Sequence, residues 1–263
     1  MMRNILEKIS AEATKYLREM SGREGIDRVL GTHGDDTTKV IDKLAEDFVL
    51  EKLNETGISM TYVTEETGTI RREGSEYVAV IDPLDGSTNF LNGITWAAVS
   101  ISVYSSQGTP VAGIVGEIFS GKTYSYDETG AYINGKRIES VPSPKQRIVL
   151  PYFDRNKLRE ITQVLSSIEG NYKTRNLGAA SLDMLLVCTG RAYLFLDVRN
   201  KLRNVDIASS LNFCEKVSIP PFNLEGDRIS IDLNKVSVIK NVLVTPDSSL
   251  SQRILSTWKA LPS

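Results

Sequence analysis

The chain has 263 residues, 41% hydrophobic and 24% charged, with a formal net charge of −2. That composition suits a soluble protein with one large domain or two joined lobes. The acidic balance argues against nucleic-acid binding through bulk charge, and no apolar run approaches the ~20 residues that span a bilayer.

The opening stretch, MMRNILEKISAEATKYLREM, puts Ile5, Leu6, Ile9, Ala13, Leu17 and Met20 at three- and four-residue spacing, which predicts an amphipathic helix over 3–20. It carries acids throughout, so it reads as neither a signal nor a transit peptide, and a cytoplasmic setting is expected. REGIDRVLGTHGDDTT reads as a flexible loop, with His33, the only histidine, exposed in it. A Ser-His-Asp triad or a histidine-rich zinc site would therefore have to depend on this one residue. The 33 acidic residues favour hard-cation chemistry instead. A second helix is predicted over 38–55, closed by Gly57.

From there to about residue 140 the signal is of strands: ISMTYVTEE, EYVAVID, WAAVSISVY, TPVAGIVGEIF, GKTYSYDE and GAYINGKRI, the last with an Asn-Gly hairpin turn. The Pro-rich VPSPKQ at 141–146 marks a boundary between an N-terminal lobe, 1–140, and a C-terminal lobe, 141–263. Beyond it strands and helices alternate. RIVLPYF, GNYKTRNL, AYLFLDV, RISIDL and NVLVTP are read as strands. Helices are expected over 154–167 (capped by Asp154), over 179–188, from near Val205, and after Asp247 or Ser248. Cys188 and Cys214 have no metal or redox spacing and read as small buried apolar residues, compatible with a reducing compartment. The fold class is mixed α and β.

The stretch that carries chemistry is YVAVIDPLDGSTNFL. A buried strand runs into Asp82 and Asp85. Pro83 cannot donate to a sheet ladder, so pairing is expected to stop there. The turn can bring both carboxylates and the Leu84 carbonyl to one side. Two carboxylates so close repel, and a divalent cation removes the conflict. Gly86 allows close approach to the backbone, and the amides of Gly86, Ser87 and Thr88 would face an anion such as phosphate. Glu65 and Glu66 end the preceding β-run, and Asp206 opens an apolar helix. Each alone has a bland reading, as a solvated turn or a helix N-terminal acid. Together they point to one metal–phosphate site.

TEE, VIDPLDGSTNF and NVDIAS, in this order, resemble the inositol monophosphatase and fructose-1,6-bisphosphatase family, and FLDVRNKLRNVD resembles its archaeal type. The resemblance implies a layered α-β-α-β-α sandwich and a Mg²⁺-dependent phosphomonoesterase acting on myo-inositol 1-phosphate, fructose 1,6-bisphosphate or both. It implies two to three Mg²⁺ ions, with Mn²⁺ as a substitute, and candidate lithium sensitivity. Its metal ligands would be Glu65, Asp82, the Leu84 carbonyl, Asp85 and Asp206, with a third ion near Asp35 or Asp36 in the loop 31–38. Ser87 would orient the attacking water, supported by Asp42 and joined in catalysis by Glu65. Asp85, Gly86, Ser87, Thr88, Arg175, Ala180 and Arg199 would bind substrate, with Tyr152, Lys201 and Arg203 nearby in the pattern. The partner would be a small phosphate ester, with no nucleic acid and no membrane, and the assembly a homodimer, with a tetramer as the alternative. The chain departs from the family pattern at CEKVSIPPF, where a Gly-Gly is common, and at Val205, where a tryptophan is common. The alternatives are a 3′-phosphoadenosine 5′-phosphate nucleotidase, for which no insertion suits an adenine pocket, and a non-catalytic partner-binding protein of the same fold, against which the full set of ligands argues. A structural Ca²⁺ site lacks EF-hand spacing.

Overall fold

The computed structural model describes residues 1–33 and 36–261, with the side chains of all but Thr32, His33 and Asp36. In chain order the elements are α1 (Met2–Met20), β1 (Val29–His33), β2 (Asp36–Lys39), α2 (Val40–Glu55), β3 (Met60–Thr64), β4 (Gly68–Ile70), β5 (Tyr77–Asp85), α3 (Ser87–Leu91), β6 (Ala98–Ser105), β7 (Pro110–Glu117), β8 (Thr123–Asp127), β9 (Gly130–Ile133) and β10 (Lys136–Arg137). They continue with β11 (Ile148–Tyr152), α4 (Leu158–Ser166), β12 (Lys173–Thr174), α5 (Ala180–Cys188), β13 (Leu194–Asp197), β14 (Leu202–Arg203), α6 (Asn204–Lys216), β15 (Val238–Ile239), β16 (Val242–Val244) and α7 (Ser248–Lys259).

The apolar stripes decide how these elements stack. Leu6, Ile9, Ala13 and Leu17 of α1, with Ile41, Ala45, Val49 and Leu53 of α2, pack on one face of an eight-stranded sheet ordered β10-β9-β8-β7-β6-β5-β3-β4. α5 and α6 cover its other face and bury Leu182, Leu185, Ile207, Leu211 and Phe213 against Val115, Tyr124 and Tyr126. Phe195, Val242 and Val244 of a four-stranded sheet, β12-β11-β13-β16, close that middle layer from the far side. Ile161 and Val164 of α4 and Leu250 and Ile254 of α7 cover its outer face. The result is the expected α-β-α-β-α sandwich. Among the described residues no helix is long and apolar enough to cross a membrane.

Several local expectations need correction. The segment read as a loop before α2 carries the hairpin β1–β2, with Gly31 opposite Thr38. β5 does not stop at Pro83. It pairs Asp82 with Ser100 and Asp85 with Ala98, and Pro83 and Leu84 lie within the register shift between those pairs. A bulge of this kind accommodates a residue that cannot donate. Asp154 is not the side-chain cap of a long helix. A 3₁₀ turn at Arg155–Lys157 precedes α4, and Asp154 pairs with Lys201 at 3.0 Å. GNYKTRNL forms a strand only at β12, and RISIDL forms none; its Ile229 and Ile231 are partly buried against the middle layer. The Asn134-Gly135 turn does have the left-handed φ values, 49° and 72°, that a type I′ hairpin requires.

The cysteines are also corrected. Cys188, ending α5, and Cys214, late in α6, form a disulfide with both residues fully buried. Sulfur atoms excluded from solvent are shielded from thiol exchange, which needs access. Closing a loop across a sequence separation of 26 constrains the unfolded chain, an effect worth about 3 kcal/mol. The variant with Cys188→Ala and Cys214→Ala should therefore melt roughly 10 °C lower under non-reducing conditions. An unchanged melting curve would mean that closing this loop does not measurably restrict the unfolded chain.

Candidate active site

A cleft of about 860 Å³ opens where the C-terminal ends of β3 and β5 meet the N-terminal ends of α2, α3, α5 and α6. Asp42, Glu65, Asp82, Leu84, Asp85, Gly86, Ser87, Thr88, Ala180, Arg199 and Asp206 all line it. β3 and β5 run parallel and in register from Met60–Tyr77 to Thr64–Ile81, so Glu65 and Asp82 emerge side by side. Asp42 and Asp206 each occupy the third position of their helix, where the carboxylate accepts a backbone N–H at 2.8 Å, from Lys39 and Arg203 respectively. This local bond aims both acids back across the helix start.

Gly86, immediately before α3, has φ of +83°, and a Cβ there would lie 2.9 Å from the Trp96 carbonyl oxygen. Only glycine meets both demands, so the turn that follows Asp85 depends on it. Asp85 is held from the other half of the molecule. Its carboxylate accepts the N–H groups of Ala180 at 3.2 Å and Ser181 at 2.8 Å, and the Ser181 hydroxyl at 2.5 Å.

Asp82, Asp85 and Asp206 are 2%, 7% and 9% exposed, so their charges are poorly screened. Burial, followed by Glu65, Asp85 and Asp206 as neighbours, pushes the Asp82 carboxyl well above the usual range. Burial raises Glu65 to about 8, with Asp206 and Glu66 adding to the rise and Arg203 opposing it. Burial likewise raises Asp85 to about 7 against the Ser181 hydrogen bonds. Arg203 supplies the compensating positive charge. Its guanidinium bonds Glu65 and lies 3.4 Å from an Asp206 oxygen. Among the described residues no three acidic, histidine or cysteine side chains converge closely enough to hold an ion as they stand, and the guanidinium pairs with two of the acids. The donor set itself, carboxylate oxygens around a backbone carbonyl, suits a hard cation.

Arg175 is a correction. Its N–H bonds the Val149 carbonyl in line with β12, which turns the exposed side chain outward to the Thr174 carbonyl, and it does not line the cleft. Asn176 lines the cleft at this point. Arg199 is in the wall, held by buried Asp197 through bonds of 2.6 and 3.0 Å with its guanidinium 4.6 Å from the Tyr152 ring centre. Lys201 and Arg203 line the same wall. Asp35 and the Asp36 side chain, expected near a third ion, lie outside the described residues, as does the His33 side chain.

Sequence reasoning missed the support behind these groups. Asp183 of α5 accepts Trp96 Nε1 at 2.8 Å and the Tyr152 hydroxyl at 2.5 Å, and Tyr152 in turn accepts the Gly178 N–H at 2.6 Å. Asn89 bonds the Leu177 carbonyl at 2.6 Å. Together they pin the loop that delivers the Ala180 and Ser181 amides to Asp85. The available signal was an acid, Asp183, inside an otherwise apolar helix, which needs partners if buried.

An acid-walled cleft at the ends of two parallel strands in a five-layer sandwich, with Gly86, Ser87 and Thr88 in its lining, is the arrangement that the comparisons with known proteins identify. The inositol monophosphatase family profile matches residues 1–211. A fructose-1,6-bisphosphatase/inositol-1-monophosphatase of Methanocaldococcus jannaschii is 32% identical over 255 residues, 96% of each chain. A fructose-1,6-bisphosphatase of Pyrococcus furiosus is 32% identical over 222 residues, 84% of this chain and 83% of that one. The solved structure of an inositol monophosphatase-fructose 1,6 bisphosphatase superposes with a TM-score of 0.81 at 31% identity, covering 97% of this chain and 98% of that one. The chain belongs to the inositol monophosphatase family and is a phosphatase that hydrolyses phosphate monoesters.

Proposed function

We propose that the protein is a Mg²⁺-dependent phosphatase of sugar and polyol phosphates that accepts both myo-inositol 1-phosphate and fructose 1,6-bisphosphate. The observation that carries this reading is the concentration of buried acids, Asp82, Asp85 and Asp206 with Glu65, whose mutual repulsion a cation would relieve. Glu65, Asp82, the Leu84 carbonyl, Asp85 and Asp206 would hold two to three ions once the Arg203 pairs open. Bound Mg²⁺, or Mn²⁺ in its place, supplies a more acidic water, neutralised phosphate oxygens and a stabilised leaving alkoxide.

The chain's own groups do the rest. The amides of Gly86, Ser87 and Thr88 receive the phosphate oxygens. The Glu65 carboxylate and the Ser87 hydroxyl, supported by Asp42, hold the attacking water in line with the ester bond. Asp206, on the same cleft, would help place the water that protonates the departing oxygen. Phosphoryl transfer has a loose transition state, so such positioning accounts for much of the rate. The deciding experiment is phosphate release from the two substrates side by side, with and without EDTA. Metal-dependent release from both is expected, and none from either would end this reading.

Arg199 is the candidate for telling the substrates apart. Asp197 takes two of its N–H bonds and leaves Nη1 for a second phosphate. A charge-assisted bond of that kind is worth about 1.5–3 kcal/mol, so Arg199→Ala should lower kcat/KM for the bisphosphate about 30-fold. Turnover of the monophosphate should stay within about threefold. Equal losses on both substrates would make Arg199 a structural partner of Asp197 only.

A further inference from the structure

α2 presents a second acid one turn after Asp42, on the same face. Glu46 is completely buried, yet the chemistry above does not use it. Its Oε2 accepts the Thr64 hydroxyl at 2.7 Å, the Glu66 N–H at 2.9 Å and the Thr67 N–H at 3.1 Å. Its Oε1 accepts the Thr67 hydroxyl and faces the Lys43 ammonium at 3.3 Å. All but the lysine come from the tight turn between β3 and β4, in which Thr64 still pairs with Gly68. Glu65 lies between Thr64 and Glu66, whose hydroxyl and amide end on the same carboxylate oxygen. The backbone is thus clamped on both sides of Glu65, whose freedom is reduced to its own side-chain torsions. Burial alone would raise the Glu46 carboxyl, but the Thr67 and Thr64 hydroxyls and the two amides outweigh it and hold it below its ordinary value, consistent with a permanent anion.

We infer that Glu46 is a positioning residue of the phosphatase: from behind the β3–β4 turn it fixes the backbone that aims Glu65 into the cleft. This rests on the reading of Glu65 as a cation ligand. The alternative, a hairpin brace with no bearing on the site, predicts lost stability and nothing else. Tertiary anchors of this kind commonly change metal affinity or activity by about 10–100-fold when removed.

The test measures Mn²⁺ binding to metal-free protein by calorimetry, together with kcat and KM, for wild type, Glu46→Ala, Glu46→Gln, Thr67→Val and Asp82→Asn. Glu46→Ala should bind Mn²⁺ about tenfold more weakly and lose kcat about 30-fold, with KM within about threefold. Glu46→Gln should recover most of both, since its carbonyl can take the three-donor position and its NH₂ can donate to the Thr67 hydroxyl. A folded Glu46→Ala that matches wild type in affinity and kcat, or differs only in melting temperature, overturns the inference. So does a Gln variant as damaged as the Ala variant. If Glu46→Ala does not fold, Thr67→Val decides, with Mn²⁺ affinity about threefold weaker supporting the clamp and unchanged affinity overturning it. Asp82→Asn separates the two levels. If it loses Mn²⁺ while the Glu46 and Thr67 variants do not, only the positioning role falls. If wild type itself binds no Mn²⁺, the metal reading falls and takes this inference with it.

Discussion

Asp82→Asn should lower kcat for phosphate release by roughly 10³-fold while leaving the fold intact, and in EDTA the variant should melt no lower than wild type. The two halves of this result have one cause. Asp82 is 2% exposed, accepts the Leu84 N–H at 3.0 Å, and faces Glu65, Asp85 and Asp206. On the proposed reading, its negative charge would be among the ligands that hold a cation. Without one, the same charge is desolvated and repelled, so a neutral amide of equal size relieves the metal-free protein. Asparagine keeps an oxygen for the Leu84 amide, so the turn is not disturbed. Activity is measured over a Mg²⁺ series and stability by thermal melting in EDTA. A variant within tenfold of wild type at saturating Mg²⁺ would remove Asp82 from the ligand set. A variant that is inactive but also several degrees less stable in EDTA would show Asp82 supporting the fold.

The site was legible in the sequence where its geometry is local. A strand, a proline, a spaced pair of aspartates and a glycine forced to positive φ are consecutive residues, and each restricts the backbone of its neighbours. The chain order of TEE, DPLDGST and NVD is also enough to place three acid clusters at element ends. What could not be read depends on contacts across the chain. Glu46 sits in KLAEDF, where it looks like any helix-surface acid, and its partners other than Lys43 are 18 to 21 residues away in the next hairpin. The disulfide joins cysteines 26 residues apart on two different helices, α5 and α6, a tertiary contact that rules for local cysteine spacing do not address. RISIDL alternates as a strand should, and its isoleucines do turn inward, but the segment finds no sheet edge beyond a bridge between Phe222 and Arg228. Arg175 follows β12 and turns its exposed side chain to the Thr174 carbonyl while the next residue, Asn176, lines the cleft, a one-residue difference that the motif alone does not set.

In EDTA the wild-type protein should be more stable at pH 5.5 than at pH 8.5, with a melting temperature higher by roughly 5 °C or more. Glu65 is raised to about 8 and Asp85 to about 7, and burial together with its acidic neighbours raises Asp82 well above the usual range. Unfolded, all three would titrate near pH 4. Between those limits the folded protein holds protons that the unfolded chain has released, so stability falls as pH rises. The contribution is fully present below the unfolded values and lost as pH climbs through 7 to 8. Asp183, raised to about 6 by burial despite its Trp96 and Tyr152 bonds, acts in the same direction. The lowered acids Glu46, Asp127, Glu160 and Asp247 oppose this only below about pH 4.5, outside the window chosen. Mg²⁺ at a hundred times its Kd should add about 2.7 kcal/mol at pH 8.5, and much less at pH 5.5, where protons compete for the same oxygens. Asp82→Asn should flatten the metal-free pH dependence. A wild-type melting temperature that instead rises from pH 5.5 to 8.5 in EDTA would mean that Arg203 alone keeps these acids ionised, and the cleft would then have no electrostatic need of a divalent cation.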